Sequence, residues 1–525
     1  MTIHADWAKV IKQRYPECFT PNVPRNVNAS CGIIDGHIQL MGAYNVSTWE
    51  QFLQNQFVRP VSQLFGRGCK VVVLLFDNRL MVSPYKGMTQ YKRCKRYQDV
   101  HFSKADPLPQ NIPNPWIDHM MNRNFKDKVI SFVCERIQSL VQPAEGRTLI
   151  VDFKGPPKIY TNTNTCPQDI MNMSELGESD IKFARYVHML GNSIVYATDG
   201  DYIPISLLYY AMHGVRPDNN IIIYRQEANV NAIRSQTPRG CPKGPRSGAR
   251  AKASAATTAF VCAEAEREDP TNEIAEGPTG TTTALSAVAK PKIKKRMEFI
   301  NLQPVLYALL EIMHLPPQPT PEAITGIVSM MLLAGTDYSR AIPLVGPRRL
   351  IEMVPMLTND IVNIVQRTLD TVSPSPTLMT ESLVHSIYKI AFKKYIQDSR
   401  QSTIESLLQS LNTSSISERN RTLLPTLKQI DTTCRNVAWV VHYWKDCINT
   451  APDLSQPTMY GFVYDDSTRQ FTWTDVAQDS LNAPPETMLT LLDPSTQITT
   501  ATAVQLDNLK AAAAFIAKHT CLVKP

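Results

Sequence analysis

The chain has 525 residues, long enough for two or more globular units or for one core with large insertions. Hydrophobic residues make up 43 %, and the net charge of +7 with a pI near 8.7 permits a polyanionic partner without demanding one. Eleven scattered cysteines with no CxxC pair argue against a disulfide framework or zinc ribbon and for a reducing compartment.

The N-terminus "MTIHADWAKVIKQRYPECF" carries charges throughout and no apolar h-region, so no secretory signal is expected. No apolar run approaches the ~18–20 residues of a membrane span, and a soluble intracellular protein without a membrane partner is expected. "CGIIDGHI" predicts a short buried strand, "WEQFLQNQFVRPVSQLF" a helix, and the β-branched run "KVVVLLFD" a central parallel strand. Helix "FKDKVISFVCERIQSLV", strand "RTLIVDF", helix "ESDIKFARYVHML", strand "SIVYATD", helix "YIPISLLYYAMHG" and strand "NNIIIYR" follow. This alternation predicts an α/β core over residues 1–230, with a central, mainly parallel sheet and helices on both faces.

Residues 231–297 change character: Gly, Pro, Ala, Thr and Ser dominate, and a disordered insertion is expected. Its basic end "KPKIKKR", 290–296, reads either as a nuclear localisation signal or as a solvated tether. Helices resume at "LQPVLYALLEIMHL" and "PEAITGIVSMMLLAG", followed by helix, tight turn and helix in "TDYSRAIPLVGPRRLIEMV". This suggests a helix–turn–helix subdomain over 298–375. Residues 376–525 read as a mixed C-terminal extension, with a helix at "ESLVHSIYKIAFKKYIQ" and a small β element at "YGFVYDDSTRQFTWTDV".

Acids fall where parallel strands should stop. Asp35 closes "CGIID", Asp77 closes "VVVLLFD", and Asp199 and Asp201 follow "IVYAT". Ligands of open α/β sheets bind beyond these carboxyl ends, so the four should share a crevice. Glu178 and Asp180 begin a helix, where either could simply cap it, and Asp337 follows an apolar helix. Carboxylates gathered this densely repel one another unless cations sit between them. Hard oxygen donors without His or Cys suit Mg²⁺ or Mn²⁺, and two such ions about 3.5–4 Å apart promote phosphodiester cleavage.

The order of these motifs resembles the XPG/flap-endonuclease family of structure-specific 5′ nucleases, built on a PIN-like core. "IIDGHI" and "LLFDNR" resemble its first two acidic motifs, "GESDIKFARYV" the third, "YATDGDYIP" the fourth and "GTDYSRAIPLVGPRRL" the last. The resemblance covers most of 1–230 and 298–360. It implies that Asp35, Asp77, Glu178, Asp180, Asp199, Asp201 and Asp337 bind two Mg²⁺ ions, with Mn²⁺ as a substitute. The basic stretch "YKGMTQYKRCKRY" is similar to the family's helical arch. The likeness implies catalytic roles at the scissile phosphate for Lys86 and Arg93, seven residues apart, with Lys92, Lys95 and Arg96 on DNA. "PLVGPRRL" implies duplex-phosphate contacts from Gly346, Arg348 and Arg349.

There are departures. Thr2 stands where relatives carry Gly, Met41 where many carry a stacking aromatic (Tyr44 lies one turn on), and Leu344 where the Gly-Ile-Gly turn begins. The proline-rich "HFSKADPLPQNIPNPW" predicts an irregular gateway in place of a second arch helix. Such divergence fits a large DNA virus. "QPTMYGFV" approximates a sliding-clamp motif but lacks its second aromatic, and "YGFVYDD" reads better as a strand. The implied function is Mg²⁺-dependent cleavage of DNA near single-strand/duplex junctions, by a nuclear monomer acting in replication, repair or recombination. The alternatives are a 5′→3′ exoribonuclease, since "WAKVIKQRYPECF" and "GESDIKF" also resemble that related family, and a non-catalytic replication scaffold.

Overall fold

Five β-branched runs form the parallel centre of an eight-stranded sheet. They are β2 (Cys31–Asp35), β3 (Val71–Leu75), β4 (Thr148–Asp152), β6 (Ser193–Tyr196) and β7 (Ile221–Gln226). The computed structural model describes residues 4–23, 28–42, 46–77, 100–161, 177–226, 297–339, 350, 427–449, 462–465 and 470–473. Three short strands pair antiparallel at the flanks: β1 (Phe19–Thr20), β5 (Lys158–Thr161) and β8 (Met297–Asn301). The strand order is β1-β8-β7-β6-β2-β3-β4-β5. From β2 the chain proceeds to β3 and β4 on one side, then crosses to β6 and β7 on the other. The switch point therefore lies between β2 and β6, the place where open α/β sheets form their crevice.

Strand alternation divides the apolar side chains between two cores. Ile33, Val73, Ile150, Val195, Ile223 and Ile300 face one side, and Ile34, Leu74, Val151, Ile194, Ile222 and Phe299 face the other. The first face is covered by helices α1 (His4–Arg14), α7 (Ser179–Leu190), α8 (Tyr202–His213), α9 (Leu302–Ile312), α10 (Pro321–Leu333) and α11 (Leu427–Asn449). The second is covered by α3 (Trp49–Leu53), a π turn at Gln54–Val58, α4 (Arg59–Gly66), α5 (Trp116–Met121) and α6 (Arg123–Leu140). On this face Tyr196, Tyr224 and Phe299 are in cross-strand register and stack ring on ring, with the Arg67 guanidinium over the last two.

Some details differ from the sequence expectation. The strand expected through "CGIIDGHI" stops at Asp35, whose side chain accepts the His37 N–H at 2.9 Å and starts α2 (Gly36–Leu40). A cap of this kind is a local hydrogen bond that apolar patterning does not report. Helix α9 begins at Leu302, where helix was expected to resume, but strand β8, which was not expected, runs directly into it and closes the sheet against β7. The strand reading of "YGFVYDD" holds: β9 (Phe462–Asp465) pairs antiparallel with β10 (Gln470–Trp473). The expected helix at 381–397 and the turn at 343–349 lie outside the described residues, as does nearly all of the expected insertion. Among the described residues no helix is long and apolar enough to cross a membrane.

Candidate metal centre

The carboxyl ends of β2, β3 and β6 deliver the acids to one crevice. Asp35 is the last residue of β2, Asp77 lies two past β3, and Asp199 lies three past β6. Asp201 stands at the N-cap position of α8 with no side-chain cap bond, and its N–H lies 3.4 Å from Asp199 Oδ1. Helix α7, opening after Glu178, adds Asp180 in its first turn, and the loop after α10 adds Asp337. Asp199, Asp201 and Asp337 each offer an oxygen within 4.8 Å of the others, close enough to share one cation.

The remaining acids form the other half of the crevice. Burial, then Asp77, then Asp180 push the Asp35 carboxyl up to about 8, against the pull of Tyr202 and the His37 N–H. A buried carboxyl that two further acids raise again marks a site short of positive charge. Asp77 Oδ1 accepts both the N–H and the hydroxyl of Ser179 at 2.9 Å, and Asp77 Oδ2 lies 3.4 Å from His37 Nε2. The Tyr338 hydroxyl donates to Glu178 Oε2 and lies 2.8 Å from Asp180 Oδ1. One phenolic proton thus faces two carboxylates, and burial, Asp180 and Glu178 hold the phenol well above its usual range.

Aromatic side chains wall off the site. Tyr202 sits fully buried beside Asp35, and Tyr338 packs edge-on against Trp444 of α11, 5.1 Å between centroids. Tyr443 and Cys447 on the same helix are buried within electrostatic reach of Glu178. Part of the C-terminal region therefore backs the acidic helix.

Two charged groups escaped the sequence reading. Asp152 closes β4 just as Asp35 closes β2, yet its carboxylate is bound by buried Lys182. Its strand-end position was a usable signal; Lys182, inside an amphipathic helix, resembled surface charge. The second is Arg225 at the end of β7, buried between Glu298 and Asp199, with Glu298 also holding Lys12. Burial lowers the Arg225 pKa, while Glu298 and Asp199 support its charge.

Of the seven expected acids, Asp199, Asp201 and Asp337 lie within 4.8 Å of one another, Asp77 and Asp180 act on Asp35, and Tyr338 bridges Glu178 and Asp180. Tyr44, Lys86, Lys92, Arg93, Lys95, Arg96, Gly346, Arg348 and Arg349 lie outside the described residues. Met41 ends α2 and is half-buried against the second core. The donor set is oxygen alone, the choice of Mg²⁺ or Mn²⁺ over softer metals. No family model and no curated protein matches the chain.

Proposed function

We propose that the chain is a divalent-metal-dependent nuclease with a PIN-like core, hydrolysing phosphodiesters of DNA near 5′ single-strand/duplex junctions. One observation carries the reading: Asp199 and Asp201, just past β6, and Asp337, after α10, each offer a carboxylate oxygen within 4.8 Å of the others. The set suits Mg²⁺, because a buried oxygen-donor site in which Asp77 and Asp180 add to the burial that raises the Asp35 carboxyl is electrostatically incomplete without cations.

Asp199, Asp201 and Asp337 would hold one ion, and Asp35, Asp77 and Asp180 would hold a second. Bound there, the pair supplies an activated water and neutralises charge on the leaving oxygen. The protein's own groups do the arranging. Ser179 aims Asp77, the His37 N–H aims Asp35, and Tyr338 holds Glu178 and Asp180 together. The Tyr202 and Tyr338 rings limit water behind the carboxylates. Lys86 and Arg93 would meet the scissile phosphate, and Arg348 and Arg349 the duplex backbone, as the family resemblance implies. Action in a nuclear or viral replication compartment follows from that substrate.

The test is a cleavage assay on 5′-flap, nicked and blunt DNA and on 5′-phosphorylated RNA, in Mg²⁺. Cleavage of flap DNA that is lost on Asp201→Asn is the expected result. Preferential degradation of RNA would transfer the same site to the exoribonuclease reading. Inactivity on every substrate, with no Mn²⁺ bound, would refute both.

A further inference from the structure

We propose that the buried Lys182–Asp152 pair is a positioning device that sets α7 against β3 and thereby tunes how tightly the acid cluster holds divalent cations; the second half rests on the metal-centre reading above. Lys182 lies on the helix that opens with Glu178 and Asp180, and both it and Asp152 are fully buried. Its Nζ lies 2.5 Å from Asp152 Oδ1 and donates to the Phe76 carbonyl at 3.2 Å. Tyr186, one turn later, donates to Asp152 Oδ2 at 3.0 Å, and the Phe76 N–H bonds the Asp152 carbonyl at 2.8 Å.

Phe76 immediately precedes Asp77, whose carboxylate is itself held by Ser179 at the start of α7. The helix is therefore fastened to the end of β3 by two ties, one on each side of the peptide bond that leads into Asp77. Neither the first turn of α7 nor Asp77 can shift without breaking one of them. Glu178, Asp180 and Asp77 are thus set in register by a residue that touches none of the crevice. Stability alone is a poor reason for such a pair, because well-packed apolar replacements of buried ion pairs are often neutral or stabilising. The pair is neutral overall, so its contribution to the crevice is geometric.

The experiment uses the full chain carrying Lys182→Met with Asp152→Leu, which removes both charges together. Three quantities are read: melting temperature, hydrogen exchange of the Ser179 amide without metal, and Mn²⁺ affinity by electron paramagnetic resonance. A folded, cooperatively melting variant with Ser179 exchange about ten-fold faster and Mn²⁺ binding roughly 10- to 100-fold weaker is expected, its melting lowered only by the Tyr186 hydroxyl and Phe76 carbonyl left without partners. Wild-type exchange at Ser179, or faster exchange with unchanged Mn²⁺ affinity, overturns the proposal. Faster exchange in a protein whose wild type binds no Mn²⁺ upholds the register and sinks the metal-centre reading instead. If the double variant does not fold, Asp152→Asn keeps the shape, weakens the clamp and carries the same readouts.

Discussion

Asp35 concentrates the electrostatic problem of the site in one carboxyl. Its folded pKa of about 8 stands far above the ordinary 3.8, chiefly through burial and then through Asp77 and Asp180. The native state therefore keeps a proton that the unfolded chain releases. Stability from this group is complete below about pH 4 and is lost as pH rises through about 8. Metal-free protein should melt at progressively lower temperature from pH 5 to pH 8, and Asp35→Asn should flatten that slope. Mg²⁺ should raise the melting temperature more at pH 8 than at pH 5, because it competes with the proton. Equal melting at both pH values in EDTA would contradict the charge-starved site. Asp201→Asn should abolish cleavage and Mn²⁺ binding while leaving metal-free melting unchanged or raised, since it relieves repulsion among Asp199, Asp201 and Asp337. A variant that still cleaves at the wild-type rate would remove the metal argument. These acids were legible because each follows an apolar strand or helix or opens a helix. Tyr338 and Lys182 were not, because their roles depend on partners 160 and 30 residues away.

At the scale of elements, the β-branched runs announced the parallel strands, and their carboxyl ends announced the crevice. The antiparallel flanks were hidden for physical reasons. Strand β1 has two residues and β5 pairs at an edge, while β8 follows a long polar segment and leads straight into an apolar helix. Helix α2 was hidden too, since only the Asp35 cap and the small size of Gly36 allow the turn. A Cβ on Gly36 would come within 2.4 Å of the Phe76 ring and 2.7 Å of the Leu75 carbonyl. Phe76 is fully buried between Phe57 and Phe153, so it has little room to yield. Gly36→Ala should cost about 1–3 kcal/mol, as overpacked cores do. Because the strain falls between Asp35 and Asp77, Mn²⁺ affinity should drop along with stability. Chemical denaturation and Mn²⁺ titration on one preparation check both, and loss of stability with intact affinity would mean that α2 merely covers the sheet.

For the molecule as a whole, chain order and folding unit do not coincide. Helix α11, far beyond the acidic motifs, buries Val440, Val441, Tyr443 and Trp444 in the same core as α7, α8 and α10. Ending the chain at residue 426 should therefore remove several large buried side chains at about 1.5–3 kcal/mol each and leave Tyr338 without its Trp444 contact. Aggregation or non-cooperative melting is expected, and a truncated chain that melts like the full one would show α11 to be an accessory. The segment between β7 and β8 calls for the opposite expectation. Gln226 and Met297 are register partners across an antiparallel pair, so 70 residues leave and rejoin the sheet at directly opposed positions. Two strands paired to their last residues need only a short turn, and Asn-Gly suits the twist of such a hairpin. Replacing residues 227–296 with Asn-Gly should preserve the Arg225–Glu298 pair, the melting temperature and cleavage of naked DNA. Shortening the loop lowers closure entropy only slightly, so any stabilisation should stay near 1–3 kcal/mol. A large fall in melting temperature would show that the segment packs on the core. Unchanged melting with lost cleavage would instead assign it a part in holding substrate, since β7 ends and β8 begins at the same end of the sheet as Asp199 and the crevice.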